Sequence, residues 1–266
     1  MKKLLSPVAG EKHFLLGNEA VVRGALEAGA AVAATYPGTP SSEIGDTFHH
    51  IMPFTDRLYF EYSVNEKVAM EVAVGAAVAG VRSFCFMKHV GVNVAADALM
   101  TLAYIGVNGG MVILTADDPG CHSSQNEQDN RYYSRLGLLP MLEPSNPQEA
   151  KDMVRDGFAL SEELQLPVIV RTTTRVNHMR GIVEFEALPE EVKHKTEFKK
   201  EPFRFMCVPG VARTRRPVLL RQIGEAAGKS DESPLNTVYR AGGGEKKEGE
   251  KVAGEEVAGE KAAGEK

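Results

Sequence analysis

The stretch NEKVAMEVAVGAAVAGVRSFCFM, residues 65–87, joins an alanine-rich segment to a short run of apolar residues. Alanine is the strongest helix former and glycine is a common helix stop, so a helix is predicted over Asn65–Gly80. Ser83–Met87 has no polar residue after its first position, which is typical of a strand covered on both faces. Helices alternating with such strands predict a parallel sheet with helices on both sides.

The same alternation continues on either side of this stretch. Strands are predicted for AVAATY (31–36), LYFEY (58–62), GMVILTA (110–116), LPMLEP (139–144) and PVIVRTT (167–173). Helices are predicted for NEAVVRGALEAG (18–29), VAADALMTLAYIG (94–106) and the amphipathic segment 145–167. Asn18 and Asn146 are placed to cap the first and last of these helices. The fold class is therefore α/β, a doubly wound and mostly parallel sheet, whose ligands bind at the carboxyl ends of the strands.

The composition argues against several classes of protein. The 266 residues carry a net charge of −5, and no basic patch indicates a nucleic-acid-binding protein. Glycine and charged residues interrupt the apolar runs before they reach the length of a membrane span, and the N-terminal apolar run is too short for a signal peptide. The three cysteines are far apart in the sequence, so no zinc or iron–sulfur site is indicated. A cytoplasmic protein with free thiols is expected.

Two local features near the strand ends could carry chemistry. In YPGTPSSE, residues 36–43, two prolines restrict the backbone around Gly38 and Thr39. Thr39 is expected either to cap the next helix, with Pro40 in its first turn, or to present its hydroxyl at a ligand site; local chemistry alone favours the cap. Glu66 falls in the first turn of the following helix, where the helix dipole favours an acid. Alternatively, Glu66 faces a cavity and serves as an acid.

Polar residues also follow the next two strands. Lys88, His89 and Asn93 come after SFCFM and are predicted to lie in a loop. The segment ADDPGCHSSQNEQDNRYY, residues 116–133, contains His122 and Asn126, and it could be a metal site, a lid or a subunit contact. Its spacing matches no EF-hand, P-loop or zinc protease. Because these loops share the carboxyl edge of one sheet, they can converge on one site.

The C-terminal third departs from the alternating pattern. The predicted divisions are an α/β domain at 14–180, a charged, proline-interrupted surface segment and linker at 181–241 with room for a short helix, and a tail at 242–266. The tail repeats EKVAG, EEVAG and EKAAG and has no apolar side chain larger than valine. Such a composition cannot bury enough surface to fold, so the tail is predicted to be disordered.

Four strings in the sequence resemble the thiamine-diphosphate-dependent 2-oxoacid:ferredoxin oxidoreductases, in particular the alpha subunit of indolepyruvate ferredoxin oxidoreductase. They are YPGTPSSEI (36–44), EYSVNEKVAMEVAVGAAVAG (61–80), MKHVGVNVAADALMTLAYIGVNGGMVIL (87–114) and ADDPGCHSSQNEQDNRYYSRLGLLPMLEPSNPQEA (116–150). The resemblance runs from about Leu15 to about Leu235. It implies the thiamine-diphosphate-binding fold and, within it, the pyrimidine-binding domain.

The resemblance also implies roles for residues. Glu66 matches the glutamate that contacts the cofactor's pyrimidine ring and favours the imino tautomer, whose nitrogen removes a proton from the thiazolium carbon to form the ylid. Gly38 and Thr39 match the turn beside the cofactor and the substrate. The implied reaction is oxidative decarboxylation of an aryl pyruvate such as indolepyruvate to an acyl-coenzyme A, with electrons passing to ferredoxin. Further candidates for contacts to substrate or to another subunit are Lys88, His89, Asn93, His122 and Asn126.

The sequence also departs from the resembled subunit, which continues through a diphosphate-binding domain and a ferredoxin-like cluster domain. It contains neither a GDG motif nor a run of cysteines. The resemblance therefore implies that magnesium and iron–sulfur clusters belong to partner chains, one bearing the diphosphate-binding domain and another being a beta subunit, in an oligomer that is inactive without them. Two alternatives stay open: a truncated, non-catalytic remnant, which the repetitive tail favours, and a regulatory or assembly module that binds cognate subunits.

Overall fold

The computed structural model describes residues 2–194, 196 and 198–236, so the tail predicted at 242–266 lies outside the described residues. The strands are β1 Lys12–Leu16, β2 Val32–Thr35, β3 Tyr59–Tyr62, β4 Ser83–Lys88, β5 Met111–Asp117, β6 Met141–Leu142, β7 Val168–Thr173 and β8 Arg180–Glu184. The helices are α1 Gly17–Glu27, α2 Ser42–Ile51, α3 Glu66–Val78, α4 His89–Ile105, α5 Arg131–Gly137, α6 Pro147–Leu164, α7 Thr174–His178, α8 Pro202–Phe205 and α9 Pro209–Asp231.

Six of these strands form one sheet in the order β3-β2-β4-β5-β7-β6, and every neighbouring pair is parallel. The predicted doubly wound α/β fold is therefore confirmed. The central strand β4 shows why its sequence is apolar throughout. Phe84 and Phe86 belong to the core beneath α1, α2 and α6, whereas Cys85 and Met87 belong to the core beneath α3, α4 and α9. Helices cover both faces of the strand, so the side chains on both faces are apolar.

A second, two-stranded sheet was not anticipated from the sequence. β1 and β8 pair in antiparallel register, with Phe14 opposite Ile182. The sequence predicts only an extended surface segment after residue 180. β1 is five residues long and its partner lies far along the chain, so no local pattern distinguishes this pair from extended coil.

The helix predicted to be short in the C-terminal segment is long. α9 has 23 residues and contains Pro217, which would weaken a helix in isolation. Leu219 and Ala226 are buried in the core on the α4 side of the sheet, and the Gln222 side chain donates to the carbonyl oxygen of Leu164 at 2.9 Å. Tertiary packing therefore maintains a helix whose composition is unpromising.

Helix starts show both a confirmed and a wrong prediction. Asn146 caps α6 by accepting a hydrogen bond from the backbone N–H of Glu149 at 2.9 Å. Asn18 does not cap α1, because the helix begins at Gly17 and Leu16 holds the cap position. Asn18 is instead completely buried. Among the described residues, no helix is both long enough and apolar enough to cross a membrane.

Candidate functional site

The sheet has a topological switch point between β2 and β4. These strands are neighbours, but the helix after β2 covers one face of the sheet and the helix after β4 covers the other. In doubly wound sheets such a divergence opens a crevice at the carboxyl ends of the strands. Thr35, the last residue of β2, lies opposite Tyr62 of β3 and Phe86 of β4. The loops and helix starts after these three strands therefore share one edge.

The turn after β2 is fixed by hydrogen bonds from both ends. The carbonyl oxygen of Gly38 accepts from the backbone N–H and from the hydroxyl of Ser41, each at 2.9 Å. The buried Asn18 side chain reaches across from α1 and donates to the carbonyl oxygen of Pro40 at 2.8 Å. The stiffness expected from the two prolines is thus reinforced by a side chain that sequence analysis assigned to a helix cap.

Thr39 does not cap α2, so the predicted capping role is wrong. The helix begins at Ser42, and Ser41 holds the cap position without a capping side-chain hydrogen bond. The peptide between Thr39 and Pro40 is cis, and Thr39 Oγ1 lies 3.5 Å from Ser42 Oγ. Thr39 is half-buried and does not cap the helix, and it lies in the turn at the carboxyl edge of the sheet.

Glu66 is the first residue of α3 and lies against the start of α4. Asn65 caps the helix by accepting from the backbone N–H of Val68 at 2.9 Å. The Glu66 side chain runs over Gly91, where a Cβ atom would come within 2.7 Å of Glu66 Cγ and Oε1. Its carboxylate is half-buried and has no hydrogen-bond partner within the described part of the chain. The carboxylate is therefore free to accept or share a proton with a ligand.

The buried thiol of Cys85 lies on the central strand within the electrostatic reach of Glu66. Burial raises the pKa of this thiol far above its usual range, and the Glu66 charge raises it further. Cys85 is therefore a neutral, unreactive residue of the apolar core beneath α3 and α4 rather than a nucleophile.

Lys88 ends β4 and holds the cap position of α4, and His89 is the first residue of that helix, so the prediction of a loop over Lys88–Asn93 is wrong. The Lys88 stem packs on Gly38, where a Cβ atom would lie 2.9 Å from Lys88 Cβ, and its ammonium group donates to the carbonyl oxygen of Ser123 at 2.7 Å. His89 is completely buried, and its Nε2 lies 3.1 Å from the carbonyl oxygen of Asn126. Since a carbonyl can only accept, Nε2 carries the proton in this contact.

The loop between β5 and α5 is held at the edge by Asp118. Its Oδ2 accepts from the Ser123 amide at 2.8 Å and the Ser124 hydroxyl at 2.6 Å, and its Oδ1 accepts from the Thr174 hydroxyl at 2.8 Å. Burial would raise the pKa of Asp118, but these hydrogen bonds outweigh it and hold the pKa well below the usual range. The loop is therefore anchored by a carboxylate that stays ionised.

The remaining candidates lie on the outside of this edge. The side chains of His122 and Asn126 are exposed, and only the backbone carbonyl of Asn126 meets His89. Asn93 is also exposed and accepts a hydrogen bond from the Tyr133 hydroxyl at 2.6 Å, which ties it to α5. Among the described residues, no group of three or more His, Cys, Asp or Glu side chains could hold a metal ion.

The structure thus brings Gly38, Thr39, Glu66 and Lys88 to the same carboxyl edge of the sheet and leaves Asn93 engaged elsewhere. Sequence analysis missed two residues there, Asn18 and Gly91. Asn18 gave a misleading signal, because asparagine before an apolar run usually caps a helix. Gly91 gave no signal, because the sequence predicts a loop there and glycine is common in loops; only inside the observed helix α4 does it become a costly residue that calls for a packing or functional reason.

A family model described as "Pyruvate flavodoxin/ferredoxin oxidoreductase, thiamine diP-bdg" matches residues 23–233. The chain belongs to this family. The match includes the six parallel strands of the main sheet and α9. The resemblance drawn from the four sequence strings is confirmed.

Relatives within the pyruvate flavodoxin/ferredoxin oxidoreductase family include archaeal proteins named indolepyruvate oxidoreductase subunit IorA. The chain is 54% identical to that of Methanothermobacter thermautotrophicus over 91% of its own length and 39% of the relative. It is 50% identical to that of Archaeoglobus fulgidus over 88% of its own length and 38% of the relative. The chain therefore spans about two fifths of these relatives.

A solved structure shares the fold at low sequence identity. It is titled 2-oxoglutarate:ferredoxin oxidoreductase from Magnetococcus marinus with 2-oxoglutarate, coenzyme A and succinyl-CoA bound. The TM-score is 0.66 at 15% identity, and the alignment covers 85% of this chain and 46% of the other. The neighbour supports the architecture of the sheet and its helices.

Proposed function

We propose that this chain forms the pyrimidine-binding half of a thiamine diphosphate site in an aryl 2-oxoacid:ferredoxin oxidoreductase. The observation that carries the proposal is the side chain of Glu66, which is half-buried at the carboxyl edge of the sheet and has no hydrogen-bond partner among the described residues. The family to which the chain belongs is described as thiamine-diphosphate-binding, which supports this cofactor. The names of the relatives support indolepyruvate or a similar aryl pyruvate as the substrate.

The residues at the crevice fit one end of such a cofactor. A flat aminopyrimidine ring needs a carboxyl group that can share a proton, polar groups at its rim and backbone without bulky side chains. Glu66 supplies the first, the Thr39 hydroxyl supplies the second, and Gly38 supplies the third. When bound, thiamine diphosphate supplies a nucleophilic carbon and an electron sink for decarboxylation of a 2-oxoacid.

Each side chain then has a defined task. Glu66 shares a proton with a ring nitrogen of the pyrimidine and so controls the protonation of the ring. Thr39 is held by a turn that is braced at Gly38 and Pro40, so its hydroxyl can orient the ring or the substrate with little loss of entropy. The Asp118-anchored loop and Lys88 border the same edge and limit access of water.

We further propose that the rest of the site lies in other chains or domains. A diphosphate-binding domain would hold the diphosphate and magnesium, and iron–sulfur clusters there or in a beta subunit would pass electrons to ferredoxin. Coenzyme A would receive the acyl group. These parts are inferred from the resemblance and from the description of the relatives as subunits. In this proposal the chain works in an oligomer and is inactive alone.

The test is Glu66→Gln in the complex of this chain with the chain or domain that holds the diphosphate. Indolepyruvate-dependent reduction of a viologen dye should fall on the order of 10²- to 10⁴-fold, because glutamine keeps the shape but cannot share the proton. Glu71→Gln is the matched control. Glu71 lies on the same helix, its side chain is 56% exposed and 4.0 Å from Lys67, and its loss should leave turnover unchanged.

Calorimetry of thiamine diphosphate binding with magnesium completes the experiment. The complex should bind the cofactor, and the Glu66→Gln complex should bind it more weakly while keeping its thermal unfolding temperature. Full activity of the Glu66→Gln complex would show that Glu66 has no part in the chemistry. A folded complex that neither binds the cofactor nor turns over any aryl 2-oxoacid would refute the proposed function.

A further inference from the structure

We infer that Gly91 is a positioning residue, which holds the Glu66 carboxylate at the crevice by leaving room for it; the inference rests on the proposed function of Glu66. Gly91 lies in the first turn of the 17-residue helix α4. Its backbone is helical, in contrast to Gly106 after the same helix, whose φ is 67°. Glycine is therefore not required at position 91 by the backbone.

In such a helical position glycine is a costly choice. It stabilises a helix less than alanine does, because its backbone loses more freedom on folding. A residue that breaks a local preference at a ligand crevice calls for a tertiary or functional reason. The helix itself offers none, so the reason lies in what approaches Gly91 from outside.

The approaching group is Glu66. A Cβ atom at position 91 would lie 2.7 Å from Glu66 Cγ, 2.7 Å from Oε1 and 3.0 Å from Cδ, and these are the three nearest heavy atoms. Distances below 3.0 Å essentially do not occur for real Cβ atoms. A methyl group at position 91 would therefore clash with the Glu66 side chain before it met any other side chain.

Glu66 is the partner that would give way. Its carboxylate has no hydrogen bond to any described residue and is half-buried, so it can rotate out of the crevice without breaking another contact. The backbone of α4, by contrast, is fixed by the buried residues Val92, Ala95 and Leu99. Gly91→Ala should therefore leave the fold intact and move the carboxylate.

The first experiment measures thermal unfolding of the chain without cofactor. Gly75→Ala is the matched control, because Gly75 is also helical but has nothing within 4 Å of its Cβ position. In the wild-type background, Gly91→Ala should give a Tm about 2–4 °C below that of Gly75→Ala. In a Glu66→Ala background this difference should vanish, because the competing atoms are gone. An equal difference in both backgrounds overturns the inference.

The second experiment is a double-mutant cycle on turnover in the complete enzyme. Gly91→Ala alone should lower kcat on the order of 10²-fold through misplacement of the carboxylate. In a Glu66→Gln background, Gly91→Ala should cause no further loss. A structural role independent of Glu66 would instead multiply the two losses, and that result overturns the inference.

The two experiments separate failure of the inference from failure of the proposed function. If Glu66→Gln leaves kcat unchanged, the proposed function fails, and with it the catalytic meaning of Gly91. If Glu66→Gln inactivates the enzyme while Gly91→Ala does not, the proposed function stands and the positioning inference fails. Should Gly91→Ala prevent folding, recovery of a folded chain by Glu66→Ala supports the inference, and absence of recovery overturns it.

Discussion

Between α1 and α6, three charged side chains are buried and their polar atoms are all hydrogen-bonded. At the carboxyl edge of the sheet, two buried polar atoms have no hydrogen-bond partner among the described residues. The first group, the α1–α6 ion cluster, consists of Arg23, Glu27 and Lys151, each at most 1% exposed at its side chain. Glu27 Oε1 accepts from Arg23 Nε at 2.7 Å and from the Glu186 amide at 2.8 Å, and Oε2 accepts from Lys151 at 2.8 Å.

At the carboxyl edge of the sheet, by contrast, buried polar groups are only partly hydrogen-bonded. Asp117 Oδ2 accepts from Arg171 at 2.7 Å and from the Asn130 amide at 3.0 Å, but Oδ1 has no partner among the described residues. The imidazole ring of His89 is likewise bonded through Nε2 only, and its buried Nδ1 has no partner among the described residues. These two atoms are half of the four buried side-chain atoms that lack a partner in the described part of the chain.

Completeness of hydrogen bonding therefore distinguishes a buried cluster that stabilises the fold from buried groups at the carboxyl edge that do not. A buried charge is tolerated only when its partners are complete, as in the α1–α6 ion cluster. Through Arg23, this cluster binds the N-terminal segment and the chain just after β8. Incomplete partnering is unfavourable and is commonest at functional sites. The unused capacity at the carboxyl edge agrees with a ligand site there.

The largest expected effect follows from Glu27→Gln. Both carboxylate oxygens face donors, so the amide nitrogen must be placed against Arg23 or Lys151 and leaves a buried charge uncompensated. Urea unfolding should show a loss of about 3–5 kcal/mol. Glu184→Gln is the control, since its ion pair with Lys12 at 3.2 Å is exposed and worth about 0–1 kcal/mol. A loss of unfolding free energy no greater than that of Glu184→Gln would show that the α1–α6 ion cluster does not stabilise the fold.

An intermediate effect is expected for Asp118→Asn, because both oxygens of this neighbouring acid are engaged. The variant should lose about 1–3 kcal/mol locally, seen as faster hydrogen exchange at the Ser123 amide. Glu127→Gln is the control in the same loop. Its carboxylate is exposed and accepts from the Gly120 amide at 2.7 Å, a bond that the glutamine oxygen keeps. Equal exchange in both variants would contradict the anchoring role of Asp118.

The Asp118 anchor also predicts a pH dependence. The folded pKa is lowered, so the stabilisation is fully present above the unfolded pKa of about 4 and is lost as pH falls through the folded value. Exchange at Ser123 should therefore accelerate in acid in the wild type. In Asp118→Asn, this acceleration should be absent after correction for the intrinsic rate.

The smallest effect is expected for Asp117→Asn, although Asp117 is as buried as Glu27. The asparagine oxygen can keep both bonds to Arg171 and Asn130, and the amide nitrogen replaces an oxygen that has no partner among the described residues. Urea unfolding at pH 7 should show a change within about 1 kcal/mol. A loss as large as that of Glu27→Gln would show that the unpartnered oxygen has a partner after all.

The same variant should respond to pH in the opposite sense to Asp118→Asn. Burial raises the pKa of Asp117, against the opposing effects of the Asn130 amide and Arg171. A raised carboxyl pKa makes the folded state bind more protons, so the stability from this group falls as pH rises from about 4. The advantage of the wild type over Asp117→Asn should therefore shrink between pH 4 and pH 7.

Much of the fold could be predicted from short stretches. The apolar runs that became β4 and β5 and the helices capped at Asn65 and Asn146 depend on residues near one another in sequence. The edge that gathers the site could also be predicted, because parallel strands end together. The pairing of β1 with β8 could not, since residues 12–16 meet residues 180–184 and neither stretch has a distinctive pattern.

Local composition and chain direction are enough to predict the alternation of strands and helices and the edge at which a ligand is expected, and they place Thr39 and Glu66 after strands that end at this edge. The contacts of those side chains, by contrast, depend on tertiary packing. Asn18 turns inward to brace the turn, Thr39 is released from capping, and Gly91 makes room for Glu66. Each of these outcomes depends on contacts between residues more than twenty positions apart or on a competing cap, and no local pattern encodes them.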